Sequence, residues 1–162
     1  MNKNTKLLVQ AAAIAAVYVV LTMVFAPISF GEIQVRISEA LTILPFFTPA
    51  AIPGLFVGCL VGNILGGAIL PDIIFGSLAT LIGAIISWLV RKNRYLVPIP
   101  PIVSNTLIIP FVLRFGYGIN LPIPMMMLTV GIGEVVSCGV IGLILLFALE
   151  KATAKTDIFK IE

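Results

Sequence analysis

The sequence contains no histidine and few charged side chains. Its 162 residues include 10 basic and 7 acidic side chains, whereas roughly a quarter of the residues in a soluble domain are charged. The two cysteines, Cys59 and Cys138, lie in separate apolar stretches without a CxxC pair. We interpret them as small core residues and expect neither a metal site nor a redox pair. Because the sequence also lacks a GxxxxGK[ST] phosphate-binding loop, it predicts no enzyme, no cofactor and no nucleotide hydrolysis by this chain.

Long apolar runs take the place of charged residues. Hydrophobic residues make up 60% of the chain, and a hydrocarbon core about 30 Å thick is crossed by roughly 20 apolar residues in a helix. Six such helices would use about 120 residues and leave only short loops. We therefore predict an all-α integral membrane bundle over residues 1–150 and a cytoplasmic tail over residues 151–162. The run from Leu7 to Ala26 is too long for a signal peptide, so we assign it to the first membrane helix.

Prolines, glycines and charges mark the ends of the predicted helices. The first two cover residues 6–26 and 37–47. After a turn at 48–54 the third reaches about residue 67, and the fourth covers residues 71–91. The fifth begins after residues 98–101 and reaches about 114, and the sixth covers residues 125–150. The second is short, because an α-helix over residues 37–47 rises only about 16 Å. Six crossings are nevertheless favoured, since they place both termini and the basic loop Arg91–Arg94 on one side, as the positive-inside rule requires. Both termini are then predicted to be cytoplasmic.

The remaining charges concentrate in the outer half of the predicted bundle. Arg36, Glu39 and Asp72 lie near the outer ends of predicted helices, and Glu134 lies roughly 14 Å into the last one. A charge at that depth is costly unless it is paired or solvated. The pattern predicts a polar cavity that opens to the outside rather than a pore.

Each charged residue also has a structural interpretation. Arg36 and Glu39 are three residues apart and could pair with each other. Glu39 and Asp72 fall in first helical turns, where the helix dipole stabilises a carboxylate. Glu134 has no oppositely charged neighbour one turn away, which favours a functional role.

Three further side chains are candidates for ligand contact or for helix packing. Asn63 lies among glycines, so ligand binding and interhelical hydrogen bonding are both open. For Asn105, in the inner half, interhelical hydrogen bonding is favoured. Tyr117 flanks the last loop and could stack on a flat ligand or serve as an interface aromatic.

Small residues predict close helix contacts. The run Gly58-x-x-x-Gly62-x-x-x-Gly66 allows another helix to approach the third predicted helix. The first predicted helix carries two pairs of alanines at a spacing of four, and this alanine face fits either internal packing or the docking of a partner protein. The alanine face consists of Ala11, Ala12, Ala15 and Ala16.

Four stretches of the sequence together resemble the QueT family. They are QVRISEALTILP (34–45), GLFVGCLVGNILGG (54–67), DIIFGSLATLIGA (72–84) and GEVVSC (133–138). Members of that family are substrate-binding S components of energy-coupling factor (ECF) transporters, which take up queuosine precursors.

The resemblance implies an S-component fold of six transmembrane helices in the cell membrane. The implied ligand is a 7-deazaguanine such as 7-aminomethyl-7-deazaguanine, queuine or queuosine. The implied partners are an ECF transmembrane coupling protein and two ATPase subunits, with the alanine face as the docking surface. Nucleic acid is not expected as a partner, because the basic residues follow the membrane topology.

The residues suit such a ligand. A deazaguanine presents ring N–H and amine donors side by side, which fit one carboxylate, that of Glu134 or Glu39. A cationic aminomethyl group fits a second carboxylate, that of Asp72 or the other glutamate. The ring carbonyl fits a donor on Arg36 or Asn63. The alternative function is an S component or a solitary permease for a different vitamin or purine-like metabolite.

Overall fold

A computed structural model describes residues 2–29 and 35–154 of the chain. Within these ranges every regular element is helical and no strand is present. The six main helices are α1 (Lys3–Val24), α2 (Ile37–Phe46, wound as a 3₁₀ helix), α3 (Ala51–Leu65), α4 (Leu70–Leu89), α5 (Ile99–Gly116) and α6 (Ile123–Thr153). A single helical turn, Ala26–Ser29, follows α1. The prediction of an all-α fold is confirmed.

Four of these helices are long and apolar enough to cross a membrane. They are α1, α4, α5 and α6. The other two, α2 and α3, are apolar but shorter. The helix bounds agree closely with those predicted, although α6 continues to Thr153, past the predicted domain end at residue 150. The predicted loop at Gly31 and Glu32 and the tail from residue 155 lie outside the described residues.

Contacts between α1 and α2 fix their relative direction. The Thr48 hydroxyl, just after α2, donates a hydrogen bond to Gln10 near the start of α1. At the other end of α2, the Thr22 hydroxyl of α1 donates to Ser38. The two helices are therefore antiparallel.

The same alternation continues through the bundle. Contacts between α4 and α5 join Gly83 to Pro101 and Gly76 to Ile109, and contacts between α5 and α6 join Thr106 to Gly131 and Ile102 to Gly139. In both pairs the residue number rises on one helix as it falls on the other. The start of α1 and the end of α6 consequently lie at the same end of the bundle, which we call the terminal end. The opposite end, which holds the start of α4 and the end of α5, we call the loop end.

Glycines let α1 and α3 pack backbone against backbone. A Cβ atom on Gly54 would lie 2.8 Å from the Ala11 carbonyl oxygen, and one on Gly58 would lie 2.8 Å from the Tyr18 Cβ. Gly62 faces Thr22 in the same way. The predicted close approach is confirmed for Gly58 and Gly62, and the next residue in the series is Gly54 instead of Gly66.

The 3₁₀ winding of α2 corrects the length expected for the second segment. A 3₁₀ helix rises about 2.0 Å per residue, so Ile37–Phe46 covers about 20 Å instead of the 16 Å of an α-helix. Residues 38–45 are all buried, so the whole of this stretch lies inside the bundle. A 3₁₀ run of this length is uncommon and often marks strain or a functional position.

An apolar core occupies the terminal half of the bundle. Its fully buried members include Ile43 of α2, Leu55 of α3 and Leu146 of α6. Val97, from the connection between α4 and α5, closes this core. Toward the loop end the interior becomes polar between α1, α2, α3 and α4, while a second apolar cluster joins the end of α5 to the start of α6. This second cluster consists of Ile109, Leu113, Met126 and Val130.

Candidate functional site

Buried polar side chains from all six helices meet in the loop half of the bundle. We call this group the polar cluster. It consists of Tyr18, Arg36, Glu39, Cys59, Asn63, Asp72, Thr80, Asn105, Glu134 and Cys138, with Tyr117 at its edge. Ionisable groups inside a membrane bundle are costly and are a sign of function by default.

Glu39 lies near the start of α2 and is only 1% exposed. The Tyr18 hydroxyl of α1 donates a hydrogen bond to its Oε1 atom, and the Thr80 hydroxyl of α4 donates to the same oxygen at 3.4 Å. The other carboxylate oxygen, Oε2, is buried and has no hydrogen-bond partner among the described residues. One oxygen of this carboxylate therefore accepts from two hydroxyls, while the other accepts no hydrogen bond from the described residues.

Glu134 of α6 faces Glu39. One carboxylate oxygen of each residue and the Cys138 sulfur lie within 4.8 Å of one another. The Cys138 thiol donates to Glu134 Oε2 at 3.2 Å and lies 3.4 Å from the Glu39 backbone oxygen. The amide of Asn105, on α5, lies against both carboxyl groups. Two acidic groups this close repel each other when both are ionised.

Helix α6 changes its winding next to Glu134. The segment Val135–Ile141 forms a π-helix, which begins at the residue after the glutamate and includes Cys138. Such segments are rare and occur frequently at functional sites. The sequence pattern of α6 gives no sign of this change.

Asp72 forms a second acidic centre at the start of α4. Its Oδ2 atom accepts a hydrogen bond of 2.9 Å from the Tyr117 hydroxyl and lies 3.9 Å from Arg36 Nη2. Burial and the neighbouring Asp72 carboxylate raise the pKa of Tyr117, which keeps its hydroxyl a donor. Among the described residues the ion pair of Arg36 is with Asp72, whereas one interpretation of the sequence paired it with Glu39.

Asn63 connects α3 to this acidic centre. Its amide donates to the Asp72 backbone oxygen at 3.2 Å and lies 3.7 Å from the Cys59 sulfur. A Cβ atom on Gly76 would lie 3.0 Å from Asp72 Oδ1 and 3.2 Å from Asn63 Nδ2. Gly76 therefore leaves the space in which the carboxylate and the amide meet.

The polar cluster contains every residue predicted to bind substrate. These are Arg36, Glu39, Asn63, Asp72, Tyr117 and Glu134. Their role as ligands stays a prediction, but the structure brings them together from four helices and two adjoining loop positions.

Sequence reasoning missed Tyr18, Thr80, Cys138 and the central place of Asn105. Tyr18 offered a usable signal, since a tyrosine within an apolar helix needs a partner for its hydroxyl when it is buried. The interpretation of the cysteines as apolar core residues is correct for their burial but not for their surroundings, because Cys138 lies between two acidic residues.

The predicted docking alanines divide into two pairs. Ala11 and Ala15 are half-buried and face Gly54 and Gly58 of α3. Ala12 and Ala16 are exposed. Internal packing thus accounts for the first pair, and the second pair remains the predicted docking surface.

Comparison with known proteins agrees with this arrangement. The sequence model of the QueT transporter family matches residues 8–151. The "Queuosine precursor transporter QueT" of Lactococcus lactis subsp. cremoris (strain MG1363) is 40% identical over 77 residues, which cover 46% of this chain and 45% of that relative. The matched region thus spans about half the length of the relative, and no solved structure matches. From the family match and the four membrane-length helices, the chain belongs to the QueT transporter family and is a multi-pass membrane protein, not an enzyme.

Proposed function

We propose that the chain is the substrate-binding S component of an ECF transporter and binds a queuosine precursor of the 7-deazaguanine class. The observation that carries the proposal is the convergence of Glu39, Asp72 and Glu134 inside a bundle of membrane-length helices. A purely structural bundle has no need of three buried carboxylates in one place. A flat ligand with several hydrogen-bond donors does use them, because bonds to ionised acceptors are roughly twice as strong as neutral ones.

The proposed topology has six crossings with both termini in the cytoplasm. Residues 1–150 form the membrane domain and residues 151–162 the tail. The alternating helix directions and the 20 Å rise of α2 support this topology. So does the ion pair of 2.9 Å between Arg94 and Glu150, which places the basic loop beside the end of α6. Cysteines introduced at Asn4 and at Lys92 should react with a membrane-impermeant thiol reagent from the same side, and one at Asn120 from the opposite side. If α2 did not cross, Asn4 and Lys92 would be labelled from opposite sides, and that result contradicts six crossings.

The two acidic centres match the two kinds of donor on the proposed ligand. The ring edge of 7-aminomethyl-7-deazaguanine carries an N–H and an amine beside a carbonyl, and the aminomethyl group is an ammonium ion. The Glu39–Glu134 pair and the Asp72 centre lie within one buried cluster. Each centre binds one kind of donor.

Ligand binding to the purified full-length chain tests the proposal. Calorimetry with 7-aminomethyl-7-deazaguanine, queuine and queuosine should detect high-affinity binding of at least one of them. Glu134→Gln should abolish that binding while the protein stays folded, because the substitution removes a buried negative charge and keeps the shape. Glu150→Gln is the matched control, since it makes the same change on α6 in the half-exposed ion pair with Arg94. Unchanged affinity in Glu134→Gln refutes the assignment of this site.

The proposed partners are a transmembrane coupling protein and two ATPases. Ala12 and Ala16 lie exposed on α1 and offer a smooth surface to a partner helix. Ala12→Leu should reduce co-purification with the coupling module and leave ligand affinity unchanged. Ala11→Leu should instead destabilise the bundle, because its side chain would meet α3 at Gly54. Retained co-purification in Ala12→Leu contradicts this docking surface.

A further inference from the structure

We propose that the Glu39–Glu134 pair binds the positively charged substituent of the ligand, while the Asp72 centre binds the uncharged edge of its ring. The inference rests on the proposed function and assigns the two acidic centres to the two ends of the ligand. It predicts that the chain selects a cationic deazaguanine over a neutral one with the same ring.

Proximity shows that the two glutamates serve one end of the ligand. Their nearest carboxylate oxygens, together with the Cys138 sulfur, lie within 4.8 Å of one another. The ring N–H and amine of a deazaguanine project from its six-membered ring, whereas the substituent at position 7 projects from the five-membered ring. Two carboxylates so close together therefore cannot divide these two ends between them.

The balance of charges identifies which end of the ligand the two glutamates bind. Among the described residues the buried charged side chains are the carboxylates of Glu39, Asp72 and Glu134 and the guanidinium of Arg36. Arg36 forms its ion pair with Asp72. Arg36 also attracts both glutamates, but one guanidinium cannot balance three carboxylates, so the cluster carries an excess of negative charge when all three are ionised. Burial makes such an excess costly. An ammonium ion between the two carboxylates removes the repulsion and supplies the missing charge.

Glu39 also has a carboxylate oxygen that can accept a hydrogen bond from the ammonium ion. Its Oε1 atom accepts hydrogen bonds from Tyr18 and Thr80, whereas Oε2 has no hydrogen-bond partner among the described residues although it is fully buried. Native structures leave few buried polar atoms unsatisfied, and each exception calls for an explanation. A donor on the ligand explains this one.

The Asp72 centre has the opposite character. Its charge is offset by Arg36, and the amide of Asn63 and the hydroxyl of Tyr117 lie beside it. The ring edge of a deazaguanine combines two donors with one carbonyl acceptor. The Asp72 centre combines a carboxylate acceptor with neighbouring donors and carries little net charge, so it is complementary to that edge.

Two ligands that share the deazaguanine ring and differ only in the substituent test which acidic centre binds the substituent. The first, 7-aminomethyl-7-deazaguanine, carries an ammonium ion, and the second, 7-cyano-7-deazaguanine, carries a neutral nitrile at the same position. Calorimetry on the purified full-length chain should show the cationic ligand binding about 30-fold tighter or more, which is the scale measured for buried charge pairs. Glu134→Gln should erase this preference by weakening the cationic ligand alone. Asp72→Asn should weaken both ligands by the same factor.

A second variant and a control distinguish a loss of binding from a loss of fold. Glu39→Gln should act like Glu134→Gln, because the amide oxygen still accepts from Tyr18 while the charge is removed. Glu150→Gln should leave both affinities unchanged. Thermal unfolding in detergent identifies any variant that has lost its structure, and either glutamine variant that remains folded decides the question.

Three outcomes would contradict the inference and leave the proposed function intact. Equal weakening of both ligands in Glu134→Gln shows that the pair binds the ring edge. Equal affinity of the wild type for the two ligands shows that a shared proton already neutralises the pair. Competition of Zn²⁺ with both ligands equally shows that the pair is an inorganic cation site. If the wild type binds neither deazaguanine, the proposed function fails, and this inference fails with it.

Discussion

The interior of this bundle changes from apolar to polar within one turn of two shared helices. On α1, Ile14 packs in the apolar core, and one turn later the Tyr18 hydroxyl bonds to a carboxylate. On α2, Ile43 is fully buried among apolar side chains, and one turn earlier lies Glu39. In a bilayer, lipid tails are as apolar as leucine, so apolar helix faces associate through close packing and not through the hydrophobic effect. The apolar core of the terminal half therefore depends on shape, and the polar cluster of the loop half depends on partners for its polar atoms.

The largest expected effect comes from breaking the contact that both halves share. In Gly58→Val the new Cβ would lie 2.8 Å from the Tyr18 Cβ and 3.1 Å from the Ala15 Cα, so α1 and α3 must separate. We expect a loss of about 3 kcal/mol or more, seen as loss of monodisperse protein in size-exclusion chromatography. Gly139→Ala is the control, since its nearest neighbours would be 3.8 Å away. Normal yield and stability of Gly58→Val would show that α1 is free to shift.

A cavity in the terminal half should affect stability alone. Leu146 is fully buried in the apolar core, and Leu146→Ala should cost about 2–4 kcal/mol. Leu128→Ala makes the same change on the same helix where the side chain is exposed, and it should cost little. Thermal unfolding measures both, and calorimetry should find ligand affinity unchanged in each. A large change in affinity for Leu146→Ala would mean that the two halves are coupled.

Removing one hydroxyl from the loop half should have a smaller effect. Tyr18→Phe leaves Glu39 Oε1 with only the 3.4 Å bond from Thr80. We expect a loss of about 1–3 kcal/mol from the buried carboxylate that remains under-satisfied, measured by thermal unfolding. Tyr95→Phe, on an exposed tyrosine, is the control. If Tyr18→Phe is as stable as the wild type, the hydrogen bond to Glu39 contributes nothing net.

The smallest effect is expected at the edge of the polar cluster. Tyr117 donates to Asp72 from a partly exposed position, so Tyr117→Phe should weaken deazaguanine binding about fivefold, as for one ordinary hydrogen bond. Since Tyr117 supports the Asp72 centre, cationic and neutral ligands should be affected alike in calorimetry. A selective loss of the cationic ligand would place Tyr117 beside the substituent instead.

The helices of this protein could be predicted because their signals are local. Apolar runs of membrane length, Pro71 at the start of α4 and the basic loop at Arg91–Arg94 gave the segments and their order. Glu134 could be singled out because a carboxylate in the middle of an apolar helix has no local partner. The 3₁₀ winding of α2 could not be predicted, because it arises where residues 38–45 pack on all sides inside the bundle.

The sequence by itself determined that the chain enters the membrane, where its helices begin and end, and which side chains are too polar to face lipid. These properties follow from the composition of each segment. Only the tertiary structure decided that Arg36 pairs with Asp72, that Tyr18 donates to Glu39 and that Glu134 meets Glu39. The two residues of each pair are 21 to 95 positions apart in the sequence, from Tyr18–Glu39 to Glu39–Glu134. The glycine spacing predicted a close contact at Gly58, but the partner helix at that contact, and the helix rotations that bring the polar side chains together, follow only from the packing of the whole bundle.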